Sequence, residues 1–268
     1  MNTIYQPKGR AREYSPLALN IYDGCDHQCQ FCYVCHSPGG QKKVPLPRTN
    51  LIKSLREYLS RTKVHEQVLL CFTCDPYCKA EEKYGLTREV LIAFLEFKVP
   101  CAILTKGGSR CLRDLDLFKR FPRHALKVGA SLTFRYFEDQ SPIEPGAANP
   151  EDRVDTLRRL HAAGIQTWVS FEPVIVPEQT LALMEFVSPW IDQVKLGKLN
   201  HDPSVNTDWL FLSQAALRLA RGHGMEFYMK ADLRACLPSG YTCRPEEMDP
   251  DRGNAYWSEP PAEQAGLL

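Results

Sequence analysis

Short apolar segments alternate with amphipathic segments along most of the chain. Nearly continuous apolar runs are typical of strands that are buried on both faces of a parallel sheet. We therefore predict strands over Leu17–Tyr22, Gln67–Phe72, Cys101–Thr105, Leu126–Thr133, Ile165–Phe171 and Gln193–Leu196, with Met225–Met229 as a further candidate. Helical spacing of apolar residues predicts helices over Leu51–Arg61, Thr87–Phe97, Leu112–Arg120, Pro150–Ala163, Glu178–Val187 and Asp208–Arg221.

Several of these helices carry local signals at their ends. Thr87 is expected to cap the helix that runs to Phe97. Pro150 starts the helix over 150–163 and Gly164 follows its end, and Gly222 is expected to stop the helix over 208–221. The elements form about six βα units, which predict a parallel sheet with right-handed crossovers. Because the chain lacks a dinucleotide-binding fingerprint, the predicted fold class is α/β, as a partial (β/α)6 barrel over residues 17–232.

Two terminal segments lack this repeating pattern. Residues 1–16 precede the first strand and are expected to form an N-terminal arm. Residues 233–268, with many Pro, Gly and Glu, are expected to form a C-terminal tail that covers the barrel loosely.

Composition excludes some classes of protein. The 268 residues are 44% apolar and 24% charged, as in a globular chain, and the net charge of +1 gives no overall field that would attract nucleic acid. No apolar run approaches the roughly 18 residues that a membrane span needs. Because Met1 is not followed by a basic and then an apolar region, we expect no secretion signal and a cytoplasmic location.

The unusual residues follow the predicted strands. The cysteine-rich stretch NIYDGCDHQCQFCYVCH (Asn20–His36) follows the first strand, and TCDPYC, TKGG, SLTF, FEP and GKLN follow the next five. In a βα barrel the loops after the strand ends share one face, and that face carries the active site. The sequence therefore predicts one site at this face.

Cys25, Cys29 and Cys32 form a Cys-x3-Cys-x2-Cys motif within a chain of eleven cysteines. A four-iron cluster held by three cysteines keeps one iron open to another ligand. A zinc site that uses Cys32, Cys35 and His36 and a set of disulfides are the alternatives. If the cluster is correct, Cys35 is a spare thiol, and we expect His27 to be a solvated loop residue.

The three-cysteine motif, with Phe31 just before its last cysteine, resembles that of the radical S-adenosylmethionine (SAM) superfamily. The segments FTCDPYCKAEEKYGLTREVL (Phe72–Leu91) and AILTKGGSRCLRDLDLF (Ala102–Phe118) are similar to the spore photoproduct lyase-like branch. The likeness continues through Glu144–Pro145 and covers roughly Ile21–Ile175. It implies a radical-SAM-type barrel, a [4Fe-4S] cluster, SAM, a 5′-deoxyadenosyl radical that abstracts hydrogen, and an electron donor such as flavodoxin or ferredoxin.

The resemblance also implies roles for single residues. Cys25, Cys29 and Cys32 would bind the cluster. The cofactor would be bound by Tyr33 near the adenine, Thr73 and Asp75 near the amino group, Lys106 at the carboxylate, and Ser131 and Thr133 at the ribose or carboxylate. Glu172 faces the same mouth, either as a cofactor ligand or as a salt-bridged acid of the rim.

The chain departs from the branch at its cysteines. Cys78 stands where the branch has Gln, so Cys71, Cys74 and Cys78 have the spacing of a second cluster. Strand alternation would point Cys71 and Cys74 to opposite faces unless the strand ends between them. Either Cys71 or Cys74 could instead be the hydrogen donor that a lyase needs. Phe72 occupies the position of the branch's own donor cysteine, which puts dimer repair in doubt.

The resemblance implies a thymine-type base or thymine adduct in DNA as substrate, either for rearrangement, as in phage enzymes that act on amino-acid adducts of thymine, or for lyase-type repair. Modification of tRNA or a peptide, and a zinc-bound nucleic-acid-binding module, remain alternatives. Basic residues near the predicted site could contact DNA, and so could aromatic ones, although charge on helix faces is more often solvated. They are Lys8, Arg10, Arg12, Lys42, Lys43, Arg48, Arg110, Arg113, Lys119, Arg120, Arg123 and His124, with Tyr136, Phe137, Trp209 and Tyr241.

Overall fold

A parallel seven-stranded sheet forms the centre of the computed structural model, which describes residues 3–36, 44–199, 207–241 and 243–257. The strands are β1 (Leu17–Leu19), β2 (Tyr22–Asp23), β3 (Leu46–Pro47), β4 (Val68–Leu70), β5 (Cys101–Thr105), β6 (Leu126–Ser131), β7 (Gln166–Val174), β8 (Gln193–Lys198) and β9 (Glu226–Met229). Their order in the sheet is β1-β4-β5-β6-β7-β8-β9, and β2 and β3 pair separately as an antiparallel ribbon. This order confirms the partial α/β barrel, with the candidate strand at 226–229 as its last member.

Most helices lie between successive strands of the chain, and the last two follow β9. The helices are α1 (Leu51–Leu59), α2 (Ala80–Tyr84), α3 (Leu86–Phe97), α4 (Leu115–Phe118), α5 (Phe137–Ile143), α6 (Pro150–Ala162), α7 (Pro177–Val187), α8 (Trp209–His223), α9 (Ala231–Arg234) and α10 (Pro245–Met248). Two apolar clusters fill the space between helices and sheet, and a smaller one of Leu69, Ala102 and Trp168 lies on the inner face. Within the described ranges, no helix combines the length and the apolar character that crossing a bilayer requires.

Several predicted boundaries were wrong, and four of the differences have a local reason. Strand β4 ends at Leu70 because Cys71 adopts a left-handed backbone with φ of 68°. Thr87 does not cap α3; it is buried in the first turn, where its hydroxyl donates to the Pro76 carbonyl. The helix predicted over 112–120 starts inside a 3-10 turn and is α-helical only over Leu115–Phe118. Helix α8 continues past Gly222 to His223, with Gly224 as its C-cap.

Buried lysines fix the C-terminal segment to the end of the barrel opposite the strand C-termini. Lys127 on β6 donates to Gln193 Oε1 at 2.8 Å and to the Gly253 carbonyl at 2.9 Å. Lys195 on β8 donates to the carbonyls of Glu13 and Pro250 at 2.6 and 2.9 Å. The described part of the tail is therefore packed against the barrel and is not loose.

The N-terminal arm spans the open side of the sheet between β9 and β1. Tyr5 forms an antiparallel bridge with Ala18, and Glu13 Oε1 accepts hydrogen bonds from the Tyr228 hydroxyl and the Ala231 amide, both at 2.7 Å. The next residue, Tyr14, reaches inward to the inner face of β7. The arm thus supplies side chains to the interior of the barrel.

Replacing Lys127 with Met tests the energetic cost of these buried lysines. Burial lowers the pKa of Lys127 to about 7, although Glu226 and Asp251 oppose this shift. Between pH 7 and 9 the unfolded chain keeps a proton on this lysine that the folded chain largely loses, so raising the pH favours the folded state. The measurement is urea unfolding of the reduced chain without cofactor. From pH 7 to pH 9, we expect the free energy of unfolding of the wild type to rise by about 2 kcal/mol relative to that of Lys127→Met. Parallel pH profiles for the two chains would contradict this assignment.

Candidate functional site

A cavity of about 530 Å³ opens at the carboxyl ends of the sheet strands. Its lining brings together all but one of the predicted site residues, namely Cys25, Cys29, Cys32, Tyr33, Cys71, Thr73, Cys74, Asp75, Lys106, Ser131 and Glu172. The exception is Thr133, which is buried and does not line the cavity. Its hydroxyl donates to Glu144 Oε1 at 3.2 Å. Residues from separate strand-end loops therefore meet at one place.

The three motif cysteines lie along one wall of the cavity. Cys25 and Cys29 are buried, and Cys32 is half-buried. Burial raises the pKa of the Cys25 thiol, and nearby Asp75 raises it further. Burial also raises the pKa of Cys29, although the Lys106 ammonium opposes that shift. Among the described residues, no three His, Cys, Asp or Glu side chains surround a single point as one metal ion would require.

This wall fits a [4Fe-4S] cluster, since each iron of a cluster takes its own ligand and the three sulfurs need not converge. The wall also offers contacts for a polar ligand beside the cysteines. The Thr73 hydroxyl is buried and has no hydrogen-bond partner among the described residues. Ser131 ends β6 at the same cavity, and the Tyr33 hydroxyl donates to the Phe72 carbonyl at 3.0 Å.

Asp75 ties the loop after β4 to the end of β5. Its Oδ1 accepts from the Thr105 hydroxyl at 2.6 Å and from the Tyr77 amide at 2.8 Å. Its Oδ2 accepts from the Lys106 amide at 2.7 Å. Most of its acceptor capacity thus serves the protein backbone, so Asp75 shapes the cavity wall as well as lining it.

The prediction that His27 is solvated was wrong. The ring is only 2% exposed, and its Nδ1 lies 3.5 Å from Asp75 Oδ2. Its Nε2 is 3.1 Å from the Arg110 guanidinium. Burial lowers the pKa of His27, Asp75 opposes the shift and Arg110 adds to it. The loop after β5 encloses this ring, a long-range contact that the local sequence does not encode.

A buried ion-pair network holds the segment that packs against the cysteine loop. Glu144 is fully buried between Lys106, at 3.1 Å, and Arg153, at 2.6 Å. Burial alone would raise the pKa of Glu144, but Lys106 and Arg153 lower it to about 2. Arg153 also donates to the Ser131 carbonyl at 2.9 Å. The prediction that Lys106 meets an external carboxylate therefore has to accommodate this internal partner.

Residues 143–146 contact the cysteine loop directly. The Gln30 amide donates to the Ile143 carbonyl at 2.9 Å, and the Gly146 amide donates to the His27 carbonyl at 3.0 Å. A Cβ atom at Gly146 would lie 2.0 Å from the Asp26 carbonyl oxygen. Only glycine permits this close approach, which presses one loop onto the other.

Cys71 and Cys74 both line the cavity. The strand ends before Cys71, so the alternation rule does not extend to Cys74, and the two side chains are hydrogen-bonded to each other. Burial and the contact with Cys74 raise the pKa of Cys71, which therefore remains a protonated thiol. Cys78 is buried in the outer apolar cluster and is not part of the lining.

The opposite wall contains residues that the sequence-based prediction missed. These are Tyr14 from the arm, Lys230 after β9 and Lys198 at the end of β8. Lys230 directly follows a predicted strand, and the residues after strand ends carry the active site in a βα barrel, so the sequence could have indicated it. Nothing in the sequence places Tyr14 there, because its position depends on how the arm crosses the barrel.

Of the basic residues that were predicted to contact DNA, Lys8 and Arg10 line the cavity. Others are paired elsewhere: Arg12 with Asp251, Arg48 with Asp23, and Arg113 with Glu81 and Asp114. Lys42 and Lys43 lie outside the described residues, as do the side chains of Cys35 and His36. Tyr136 and Phe137 are about half exposed, and neither they nor Trp209 and Tyr241 belong to the cavity lining.

The comparisons with known proteins agree with this geometry. The chain is 29% identical to an uncharacterised protein of Methanocaldococcus jannaschii over 164 residues, which are 59% of this chain and 60% of that protein. It is 28% identical over 154 residues to a radical SAM Nalpha-GlyT isomerase of Pseudomonas phage M6, covering 56% of this chain and 31% of that enzyme. The chain thus spans only part of the length of both relatives.

Solved structures of spore photoproduct lyase share the fold. One variant superposes with a TM-score of 0.63 at 14% identity, covering 84% of this chain and 78% of that one. The model of the radical SAM superfamily matches residues 19–188, which contain the three motif cysteines and most of the cavity lining. The family match favours the iron–sulfur interpretation of Cys25, Cys29 and Cys32 over a zinc-bound module. The chain belongs to the radical SAM superfamily, whose members are enzymes that use an iron–sulfur cluster and SAM.

Proposed function

We propose that this enzyme rearranges an amino-acid adduct on a thymine-type base in DNA, with a [4Fe-4S] cluster on Cys25, Cys29 and Cys32 and with SAM as cofactor. The observation that carries the proposal is the single cavity, whose two walls hold different chemistry. One wall has the motif cysteines. The other has the charged side chains of Glu172, Lys198 and Lys230, which are not cluster ligands and line the cavity where a substrate would bind. Bound together, the cluster and SAM supply a 5′-deoxyadenosyl radical, which takes a hydrogen atom from the substrate.

The residues beside the cysteines have the chemistry to bind SAM. The unpartnered Thr73 hydroxyl and Ser131 can contact its polar groups, and the Lys106 ammonium can share its charge between Glu144 and the cofactor carboxylate. Tyr33 is about half exposed at the rim and can cover the adenine. Asp75 holds Lys106 and Tyr77 in place through their amides and can accept from the cofactor's amino group.

The charge of the cavity suits a nucleic-acid substrate. Its lining contains the cations Lys8, Arg10, Lys106, Lys198 and Lys230 but only the acids Asp75 and Glu172. A cationic mouth attracts phosphates locally even though the net charge of the chain is +1. A base must leave its stack to reach this depth, so the proposal includes base flipping or a single-stranded substrate. The cluster also needs a reduced flavodoxin- or ferredoxin-like partner, as in a reducing cytoplasm.

Lyase-type repair is a second candidate, favoured by the position of Cys71 and Cys74. Both thiols line the cavity, and the raised pKa keeps Cys71 protonated, which is the form that can donate a hydrogen atom. A lyase would break this S–H bond to form a C–H bond on its product. A rearrangement does not need the thiol, because the product can recover the hydrogen atom that the substrate lost.

Isotope transfer tests the proposed substrate class. We expect deuterium from the side chain of a deuterated thymine–amino acid adduct in an oligonucleotide to appear in 5′-deoxyadenosine under anaerobic, reducing conditions. A variant with Cys25→Ala, Cys29→Ala and Cys32→Ala should form no 5′-deoxyadenosine at all. If the wild type cleaves SAM but takes label from no thymine derivative, the base is not the substrate.

The two candidate reactions respond differently to loss of the thiols. For a rearrangement, Cys71→Ser combined with Cys74→Ser should keep product formation within a few-fold of the wild type, whereas for a lyase it should lower formation of the repaired base by at least about tenfold. Product analysis by mass spectrometry, with Cys236→Ser as the control at an exposed thiol, separates these outcomes.

The contact at Gly146 gives a test of cluster binding. Gly146→Ala would drive a Cβ into the Asp26 carbonyl and displace the cysteine loop, so we expect less iron and sulfide per chain after reconstitution. Gly222→Ala is the matched control, because a Cβ at Gly222 meets no atom within 4 Å. Equal iron content in the two variants, measured alongside far-ultraviolet circular dichroism, would show that this contact does not position the cysteines.

A further inference from the structure

The wall opposite the cysteines is built around one ion pair. Glu172 extends inward from β7, and Lys230 directly follows β9. Lys230 Nζ lies 2.8 Å from Glu172 Oε1 and 2.7 Å from Oε2. The Lys230 side chain is 2% exposed and that of Glu172 16%. Both residues line the cavity, so the exposed part of the carboxylate is available to a ligand there.

Two further features hold this pair in position. The Tyr14 hydroxyl donates to Glu172 and is 2.7 Å from Ser170 Oγ, while the Tyr14 ring lies 4.5 Å from Lys230 Nζ. Gly197 on β8 leaves the space that the pair occupies, since a Cβ there would be 2.8 Å from Lys230 Cδ and 2.9 Å from Glu172 Cδ. Four separate parts of the chain thus converge on one carboxylate.

Glu172 retains capacity to accept a hydrogen bond, whereas Lys230 has little left to donate. A carboxylate has about four acceptor positions, and Lys230 and Tyr14 occupy three of those on Glu172. Lys230 has three donors; two point to Glu172, and Glu13 Oε2 is 3.6 Å from the same nitrogen. A ligand that enters the cavity therefore meets Glu172 as an anionic acceptor held rigid by its neighbours.

Three further cations belong to the lining of the same cavity. Lys8 and Arg10 come from the arm, and Lys198 ends β8. Arg10 also lies 3.4 Å from Asp232, a contact that holds its guanidinium near the rim. A ligand that fits both features has a cationic or N–H donor for Glu172 and an anionic group close by for the rim cations.

We propose that Glu172 binds the amine, and the cations of Lys8, Arg10 and Lys198 the carboxylate, of an amino-acid group carried by the substrate base. This assignment rests on the proposed function and deepens it by naming the group that is recognised. It also replaces the expectation that Glu172 binds SAM. Asp75, Lys106 and Ser131, which were predicted to bind SAM, belong to the loops after β4, β5 and β6, whereas Glu172 and Lys230 belong to β7 and the end of β9.

Binding of paired oligonucleotides tests the assignment. The probes are fluorescent single strands that carry one thymine with glycine attached through its nitrogen to the 5-methyl group, or one unmodified thymine. With the reconstituted enzyme and SAM under anaerobic conditions, we expect Glu172→Gln to weaken binding of the glycine-bearing strand about 10-fold to 100-fold, the usual effect of losing a charge-assisted hydrogen bond. The loss should be selective, so that the ratio of the affinities for the two strands falls by a similar factor.

Two further variants control for structural damage. Glu178→Gln, an exposed acid on α7, should leave binding of both strands unchanged. Glu172→Gln combined with Lys230→Met removes both charges, so no buried charge is left unpaired, and it should show the same selective loss. Circular dichroism and iron content confirm that each variant is folded and loaded.

The outcomes separate this inference from the proposed function. Three results would show that Glu172 does not recognise the amino-acid group. Glu172→Gln could weaken binding of both strands equally, leave binding of the glycine-bearing strand unchanged, or abolish SAM cleavage without DNA. In those cases the proposed function still stands if the wild type transfers label from the thymine derivative to 5′-deoxyadenosine. If the wild type binds neither strand and takes label from no thymine derivative, both the inference and the proposed function are overturned.

Discussion

The buried carboxylate of Glu144 is the interaction on which the arrangement of the site depends. It joins Lys106 after β5 to Arg153 on α6, and Arg153 also holds the end of β6 through the Ser131 carbonyl. Breaking one partner of such a buried pair typically costs about 3–5 kcal/mol, because a charge is left without compensation. The same segment continues to Gly146, which presses against the cysteine loop at His27. The position of the motif cysteines is therefore set by a contact far from them in sequence.

The cavity combines two kinds of wall for a physical reason. The proposed iron–sulfur cluster would need thiol ligands in a partly buried setting, and Cys25 and Cys29 are buried thiols at the cavity. The proposed polar substrate would need a charged group held in a fixed position, and the ion pair of Glu172 and Lys230 holds one at the same cavity. The N-terminal arm completes this second wall through Tyr14. Folding of the arm is thus coupled to the shape of the cavity.

Much of this could be predicted from the sequence, because parallel strands and the loops after them leave a periodic signal. The strand at 101–105 was predicted to its exact bounds, and the loops after the strands do meet at one cavity. What could not be predicted depends on contacts between distant segments. His27 is buried because Arg110 approaches it, and Cys71 and Cys74 share a face because β4 ends at Leu70. The role of Tyr14 depends on the path of the arm and has no local signal.

The central claim is that three cysteines hold a cluster with one iron open to SAM in this cavity. Electron-nuclear double resonance of the reduced, reconstituted enzyme with SAM that carries ¹⁵N in its amino group tests it most directly. The account predicts a strong ¹⁵N coupling to the cluster, which disappears when unlabelled SAM replaces the labelled cofactor. A reduced cluster whose spectrum does not change on addition of SAM would contradict it, because every iron would then already have a protein ligand.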